Sequence, residues 1–438
     1  MSTVEIQQQR ALELPATLVG GPGWLHRIRQ SSLEVHNSTP LPRRGLHLWR
    51  YTDPSRFVVD DVDPAEIVFG SDQAAIDDEM VGQIAAGYLD GAAVDLGGRR
   101  ICHHASQRLT AMGGVVAPLS AALKSHEDLV KKHLYGLVHE QIGVFEALNG
   151  ALWEDGVFVY IPSDTIIEKP IHLRREAGAG RSRQFFRLLV IAGENSDVSI
   201  IDEYNGGPDD ISESGYSNSG VEIFAGHGSK IRYVPIGRQA SGMTSYLTHR
   251  ARLGRDAVMQ TIPLAFGAAL SKQNFGVLLS GPGARSEIYG LVFGSGRQRF
   301  DNHTLHHHIS GQTGSNIDFK VVLRDRTESA YTGLIRIEHG APGCEAYQEN
   351  RNLLLNPGAK VETIPELEIL NEDVMCTHGA TVGSFDEEMV FYLTSRGLSY
   401  SDAVRAIVSG FVASTLKMVP ENLHERIEAF VEKRLEGI

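Results

Sequence analysis

Residues 353–383, which read LLLNPGAKVETIPELEILNEDVMCTHGATVG, decide how the fold of this chain is interpreted. The stretch contains three short runs with β-strand character: 360–364, 366–370 and 373–378. Side chains alternate between the two faces of a strand, so Cys376 and His378 are predicted to project side by side. A thiol and an imidazole in that position can bind a soft metal ion, although a packed sheet can hold the same pair for structural reasons alone.

A similar pattern continues upstream, where a turn rich in Gly, Asn, Asp or Ser is repeatedly followed by a short strand in which apolar and polar residues alternate. Three examples are GENSDVSIID (193–202), GPGARSEIYGLVF (281–293) and GQTGSNIDFKVVL (311–323). The turns recur about every 27–31 residues and then, from Gly314, at about half that spacing, which fits a solenoid with two strands per coil. A large antiparallel sandwich also has short strands and turns, but the nearly constant repeat of a turn followed by a strand favours the solenoid.

Helical patterns flank this region on both sides. Apolar residues recur at three- and four-residue steps over 118–148, and Asn149-Gly150 is a plausible stop signal. After residue 385 the pattern predicts three helices, of which the second begins with a capping box of Ser399 and Asp402. The chain is therefore divided into three parts: an N-terminal helical region (1–150), a parallel β-helix core (151–384) and a C-terminal helical domain (385–438).

Composition excludes several classes of protein. The formal net charge of −13 argues against nucleic-acid binding, which requires a basic footprint. The three cysteines, Cys102, Cys344 and Cys376, are too few and too far apart for a disulfide framework or a self-contained Cys₄ site. No uncharged window is long enough to span a membrane, and the N-terminus has neither a signal-peptide nor a transit-peptide pattern, so we expect a cytoplasmic protein. No G-x-x-x-x-G-K-[ST] loop occurs, so we expect no bound nucleotide on this chain.

Several long phrases resemble one known family. They include FEALNGALWEDGVFVYIP (145–162), FDNHTLHHHISGQTGSNIDFKVVLRD (300–325), PELEILNEDVMCTHGATVG (365–383) and DEEMVFYLTSRGLSYSDA (386–403). The chain resembles the SufB/SufD scaffold proteins of the SUF iron–sulfur cluster assembly system, and within them the SufD branch. The resemblance covers most of the chain.

This resemblance implies a right-handed parallel β-helix between an N-terminal helical region and a C-terminal helical domain. It implies a non-catalytic scaffold subunit that pairs with a SufB-like chain through the β-helix and binds a SufC-like ATPase through the C-terminal helices. An iron–sulfur cluster would be shared transiently with the partner subunit, and a flavin is a further candidate component of the complex. A homodimer formed through the same β-helix edge is an alternative assembly.

The resemblance also implies roles for individual residues. His378, together with Cys376, would lie at the SufB-like interface, handle sulfur or the cluster, and supply metal ligands. SufB-like chains tend to carry a carboxylate just after this histidine, where Gly379 stands here, and many have a Cys-rich N-terminal motif that this chain lacks. In the C-terminal domain, Tyr392 and Arg396 are the expected polar anchors of the ATPase interface, and they accompany an apolar stripe that includes Phe411.

Two other interpretations of the sequence would give the chain a function other than a scaffold. A carbohydrate-active β-helix lyase or hydrolase would present a cluster of charged residues in a groove. The residues of this chain that come closest to such a cluster are Asp301, Asp318, Lys320 and Arg324. The histidines of residues 303–308 look like a metal tract, but on a strand they alternate between faces, so an inward ladder or a solvated turn is the expected arrangement.

Overall fold

Two parallel β-sheets form the centre of the molecule in a computed structural model, which describes residues 11–18, 21–59, 73–98, 100–177, 183–206, 215–384 and 386–436. The strands are β1 (Gly91–Leu96), β2 (Arg100–Ala105), β3 (Val115–Pro118), β4 (Val157–Ile161), β5 (Ile171–Ala177), β6 (Arg183–Ala192), β7 (Asp197–Gly206), β8 (Gly215–Ala225), β9 (Lys230–Arg238), β10 (Met243–Leu253), β11 (Val258–Thr261), β12 (Leu264–Ala265), β13 (Leu270–Leu279), β14 (Arg285–Gly294), β15 (Arg299–His308), β16 (Gly314–Leu323), β17 (Glu328–Ile337), β18 (Cys344–Leu354), β19 (Lys360–Ile369) and β20 (Val374–Ser384).

The α-helices lie at the two ends of the chain. They are α1 (Gly23–Ser38), α2 (Gln73–Ala85), α3 (Gln107–Ala111), α4 (Leu119–Ser125), α5 (Glu127–His133), α6 (Val144–Leu152), α7 (Glu387–Ser395), α8 (Tyr400–Leu416) and α9 (His424–Leu435). Short 3-10 helices occur at Ala16–Leu18, His47–Trp49, Pro54–Phe57 and Glu421–Leu423. None of the helices in the described parts of the chain is long and apolar enough to cross a bilayer.

The strands alternate between the two sheets along the chain. Sheet I has the order β2-β1-β5-β7-β9-β11-β14-β16-β18-β20, with β12 beside β9 and β14, and sheet II has the order β19-β17-β15-β13-β10-β8-β6-β4-β3. From β4 to β20 every described strand pair is parallel, and neighbours such as Lys272 and Asp301 are separated by 29 residues. The predicted parallel solenoid is thereby confirmed, with about seven turns.

One corner of the solenoid repeats the same backbone conformation in successive coils. A residue with a positive φ, between 53° and 75°, marks each of these corners: Asp164, Asn195, Gly228, Asp256, Gly283, Gln312 and Gly343. Glycine has no Cβ and Asn and Asp tolerate this left-handed region, so the turn-rich phrases of the sequence are explained by a requirement at this corner.

The N-terminal region contains strands that the sequence pattern did not predict. Strand β1 extends sheet I in parallel with β5, and β2 and β3 close the two sheets with antiparallel pairing. The helical pattern of residues 118–148 is divided among α4, α5 and α6. Its predicted stop at Asn149-Gly150 is wrong: both residues lie inside α6, where a Cβ on Gly150 would meet Ser32 Oγ of α1 at 2.8 Å. This glycine allows close helix packing and does not end a helix. Residues 1–10 of the predicted region lie outside the described residues.

The C-terminal part matches the predicted three helices closely. Ser399 Oγ accepts a hydrogen bond from the Asp402 backbone N–H at 3.1 Å, as the capping box requires, and Gly397 has φ +97° just after α7. These helices fold back over the outer face of sheet I, where α8 and α9 cover apolar residues that include Leu264, Leu291 and Phe293.

Two of the predicted strands at the end of the solenoid are a single strand. Residues 360–364 and 366–370 were separated at Pro365, but β19 runs through this proline. A proline cannot donate a ladder hydrogen bond, and it is tolerated here because β19 is the edge strand of sheet II.

Candidate functional site

Both sheets end together in the last coil of the solenoid. Strand β20 pairs with β18 and β19 pairs with β17, and within the described residues neither has a neighbour on its other side. The two strands are 11 and 10 residues long, so two rows of backbone donors and acceptors are open to a further strand. Long open edges of this kind are templates for pairing with another chain. We call β19 and β20 the terminal coil.

Apolar side chains are exposed on and beside the terminal coil. The exposed fractions are 68% for Met375, 51% for Val382, 40% for Ile369 and 43% for Tyr347 on the neighbouring β18. Apolar side chains gathered at an unpaired sheet edge are typical of a protein–protein interface.

Cys376 and His378 lie two positions apart on β20, in register with Ala346 and Gln348 of β18. Alternation places both side chains on the same face, with their Cα atoms about 7 Å apart. Cys376 is half-buried and packs against the small apolar cluster that contains Ile335, whereas His378 is exposed. The two residues therefore lie side by side on one face of β20, and the thiol is half-buried while the imidazole is exposed.

The environment of the Cys376 thiol limits its chemistry. Burial, with a smaller contribution from Cys344, raises the pKa of Cys376 to about 11. The thiol is therefore protonated at neutral pH, and ligation of a metal or attack on sulfur requires a group that removes the proton. Among the described residues no group of three or more His, Cys, Asp or Glu side chains is arranged to hold a metal ion.

Gly379, next to His378, is not required by packing. A Cβ built at this position would have no atom within 4 Å, so a carboxylate side chain would fit there. The glycine consequently leaves the pair without a hard oxygen ligand at a point where one could be accommodated.

Cys344 has a structural environment instead. It is buried at the start of β18, its Sγ lies 3.2 Å from Thr313 Oγ1, and it is 1% exposed. Cys102 is half-buried on β2, at the opposite end of sheet I from the terminal coil.

The histidines of residues 303–308 alternate along β15. His306 and His308 face the interior, where His306 Nε2 lies 2.9 Å from Ser286 Oγ and His308 Nδ1 lies 2.7 Å from Thr313 Oγ1. Burial lowers the pKa of His306 to about 3 and that of His308 to about 4. His307 points outward and contacts Glu338 at 2.7 Å. This arrangement is the inward ladder expected from strand periodicity, with neutral imidazoles that bond to hydroxyl groups.

The C-terminal helices present a second exposed surface. At the end of α7, the Arg396 guanidinium lies 4.7 Å from the centre of the Tyr392 ring, and Tyr392 is 54% exposed. Phe411 does not join this surface: it packs in the apolar cluster between α8 and sheet I. The structure thus brings Tyr392 and Arg396 together and places Phe411 at an internal contact.

The sequence interpretation missed several members of this surface. Further apolar side chains of α7 and of the first residue of α8 are exposed, with Met389 at 50%, Phe391 at 73% and Tyr400 at 56%. The sequence does indicate exposed apolar side chains here, because residues 389–392 are four consecutive apolar or aromatic residues in one helix. One face of a helix buries only part of such a run, so some of these side chains had to be exposed. We call Met389, Phe391, Tyr392 and Tyr400 the aromatic corner.

The charged set that would suit a carbohydrate-active enzyme is not assembled in a groove. Asp301 is buried and bonds to Lys272 at 2.8 Å. Lys320 is covered by α8, where its Nζ donates to the Phe411 carbonyl oxygen at 2.8 Å. Asp301 therefore bonds within the solenoid, and Lys320 links α8 to it.

Two family models match the chain. The model described as the SufBD core domain of SUF-system FeS cluster assembly matches residues 174–411, and the SufBD protein N-terminal region matches residues 21–173. The chain is 27% identical to the iron–sulfur cluster assembly protein SufB of Bacillus subtilis over 427 residues, which cover 95% of this chain and 90% of that protein. It is 26% identical to an iron–sulfur cluster assembly SufBD family protein of Staphylococcus saprophyticus over 426 residues, with the same coverage. These matches do not separate SufB from SufD.

Proposed function

The chain belongs to the SufB/SufD family of SUF-system iron–sulfur cluster assembly proteins, and we propose that it is a SufD-like scaffold subunit of a cytoplasmic assembly complex. In this proposal it pairs with a SufB-like chain through the terminal coil and binds a SufC-like ATPase through the aromatic corner. The observation that carries the proposal is that both sheets of the solenoid end together in unpaired strands.

The terminal coil supports pairing with a protein of the same architecture. A second solenoid that ends in the same way could continue both sheets at once, because each of its two edge strands could pair with one strand of the terminal coil at the usual spacing of about 4.8 Å. The exposed Met375 and Val382 would then be removed from water. A second copy of this chain could make the same contact, and a homodimer is therefore the competing assembly.

The Cys376–His378 pair supports a shared cluster as the cargo of that interface. A thiolate and an imidazole are two suitable ligands for iron, and a partner chain would supply the others. Because burial raises the pKa of Cys376 to about 11, the proposal requires a group in the assembled complex that removes the proton of this thiol. SufB-like chains tend to carry a carboxylate where Gly379 stands in this chain. The glycine supports the SufD-like assignment, because the partner chain would then supply the carboxylate oxygen ligand.

The aromatic corner supports docking of a separate ATPase. Exposed aromatic residues with a stacked arginine are frequent anchors of protein interfaces. The sequence has no phosphate-binding loop of the P-loop type, and in this proposal a separate subunit hydrolyses ATP.

Copurification tests this proposal directly. The full-length tagged chain, expressed in its native cytoplasm with untagged partners, should copurify with a SufB-like paralogue and an ATPase subunit identified by mass spectrometry. The visible spectrum of the purified complex reports whether a cluster or a flavin accompanies it. Recovery of this chain only as a homodimer, with neither partner, would overturn the SufD-like assignment.

A further inference from the structure

A cavity of about 550 Å³ lies where α9 packs against one corner of the solenoid. Its solenoid side is formed by the end of β9, the residues after β12 and the turn between β14 and β15, and its other side by α9. The volume is within the range of small-molecule sites, which is roughly 300–1,000 Å³. The proposed pairing and ATPase docking do not use this cavity.

Positive charge is concentrated around the cavity. Four cationic residues line it, namely Arg238, Arg297, Lys433 and Arg434, and no lining residue is a carboxylate. The whole protein has a formal charge of −13, so the composition of this wall differs sharply from that of the chain as a whole. A wall of this kind attracts anions.

One buried carboxylate beside the cavity is shared by several cations. Glu203 is fully buried and accepts hydrogen bonds from Arg238, at 2.9 Å, and from Arg426, while His172 Nε2 lies 3.2 Å away. Burial alone would raise the pKa of Glu203, but the bond to His172 and the charge of Arg426 hold it well below its usual range. The single negative charge of Glu203 balances only one of the two positive charges of Arg238 and Arg426. A net positive charge therefore remains next to the cavity.

Two of the guanidinium groups are held in place before any ligand binds. Arg238 lies over the Phe430 ring, with its Cζ 4.0 Å from the ring centre. Arg434 donates to Ser295 Oγ, to Gln298 Oε1 and to the Phe266 carbonyl oxygen. Fixed guanidinium groups lose little freedom on binding an oxyanion, and their planar donors match the oxygens of phosphate.

We propose that this cavity binds a small ligand that carries two or more phosphate groups. The cations come from both walls, with Arg238 and Arg297 on the solenoid and Lys433 and Arg434 on α9, so one phosphate group can be held from each side. A bound ligand then links α9 to the solenoid. At this cavity the side chains of Arg and Lys would take the place of the backbone N–H groups of a P-loop, and only binding is inferred here.

The proposal is tested by titration calorimetry of the full-length chain with inorganic pyrophosphate. The informative variant is Arg297→Glu, because Arg297 is an exposed turn residue and its replacement is expected to leave the fold intact. The matched control is Arg255→Glu, which makes the same charge change at an exposed turn on the opposite corner of the solenoid. Circular dichroism verifies that both variants are folded, and Arg297→Ala replaces the first variant if it is not.

Wild type should bind pyrophosphate saturably, Arg297→Glu should weaken binding at least tenfold, and Arg255→Glu should change it less than twofold. The thermal midpoint of wild type should rise with pyrophosphate concentration. Equal weakening by the two variants, or no saturable binding at millimolar pyrophosphate, would overturn the proposal. ADP that binds more tightly than pyrophosphate would identify a nucleotide as the source of the phosphates, and equal affinity would identify the free diphosphate. Adenosine that binds as tightly as ADP would contradict a phosphate site.

Discussion

Lys320 of β16 donates a hydrogen bond to the carbonyl oxygen of Phe411 in α8, at 2.8 Å, and its side chain is 3% exposed. A buried ammonium between a strand and a helix shows that the C-terminal helices are part of the packed structure of the solenoid. They cover the outer face of sheet I, and they are not an appendage beyond its end. This relationship changes what truncation of the helices should do.

Truncation after Ser384 is expected to destabilise the whole protein. The helices cover Leu264, Leu291, Phe293 and Val322 of the solenoid, and the truncation would expose these apolar side chains to water. Exposure of one such side chain costs about 1.5–3 kcal/mol, so the loss is comparable with the whole stability of a typical domain.

Thermal unfolding followed by circular dichroism, together with binding of a hydrophobic dye, measures this effect. Lys320→Met keeps the apolar cover and removes one anchor, so it should lower the midpoint by only a few degrees. A truncated chain that unfolds at the wild-type temperature and binds no dye would show that the helices are dispensable for the core.

The aromatic corner is expected to carry the ATPase contact. The double variant Phe391→Ser, Tyr392→Ser should weaken binding of the ATPase subunit at least tenfold, because exposed aromatic anchors contribute most of the affinity of such interfaces. Its thermal midpoint should stay close to that of wild type, since both residues are more than half exposed. Tyr88→Ser, at a 65% exposed tyrosine of the N-terminal region, is the matched control. Unchanged ATPase binding by the double variant would remove this surface from the proposal.

Asp95 is expected to make stability fall as pH rises. Burial raises its pKa to about 7 against the opposing charge of Arg175 and the hydrogen bond from the Gly98 N–H at 2.9 Å. The raised pKa means that the folded state retains a proton that the unfolded state releases near pH 4. The contribution of Asp95 to the free energy of unfolding therefore decreases between about pH 4 and pH 7, by up to about 4 kcal/mol, and does not change further above pH 7.

Urea unfolding of wild type and Asp95→Asn at four pH values between 4.5 and 7.5 isolates this contribution. The variant should gain stability relative to wild type as pH rises, because its amide has no proton to lose. A difference between the two proteins that is independent of pH would show that Asp95 titrates normally in the folded state.

His378→Ala is expected to reduce cluster formation without unfolding the protein. The imidazole is exposed, so its removal should leave the thermal midpoint within about one degree of wild type. The yield of cluster in the assembled complex, read from its visible spectrum, should fall strongly. His339→Ala, which removes another exposed histidine at a nearby turn, should leave the yield unchanged. An unchanged yield in His378→Ala would mean that the Cys376–His378 pair serves only packing.

The solenoid was predictable because its requirements are local. Positions such as Asn195 and Gly283 must take a left-handed backbone, so each coil repeats a recognisable turn. The strand periodicity of β15 likewise placed His306 and His308 inside. These features depend on residues a few positions apart, which a single sequence displays.

Long-range packing was not predictable in the same way. The apolar stripe of α8 gave no sign of whether it covered another helix or sheet I, because both would bury the same residues. Strand β1 is buried along its whole length and shows no alternation, so it lacked the pattern of a half-buried strand. The sequence analysis placed a break between two strands at Pro365. A proline is tolerated within a strand at the edge of a sheet, and only the assembled sheet shows that β19 is an edge strand.

The most direct test of the account is whether the terminal coil joins this chain to its paralogue. The double variant Met375→Lys, Val382→Lys places charges on the open edge of β20, which blocks strand pairing but leaves the exposed positions tolerable in the free chain. Ile166→Lys, at a residue that is 60% exposed and far from the terminal coil in sheet order, is the control.

The measurement is size-exclusion chromatography with light scattering on each variant coexpressed with a SufB-like chain and the ATPase subunit. The edge variant is expected to lose the SufB-like chain and to retain the ATPase subunit, while Ile166→Lys should retain both. An edge variant that still elutes with the SufB-like chain at wild-type mass would contradict the claim that the open strands are the pairing surface.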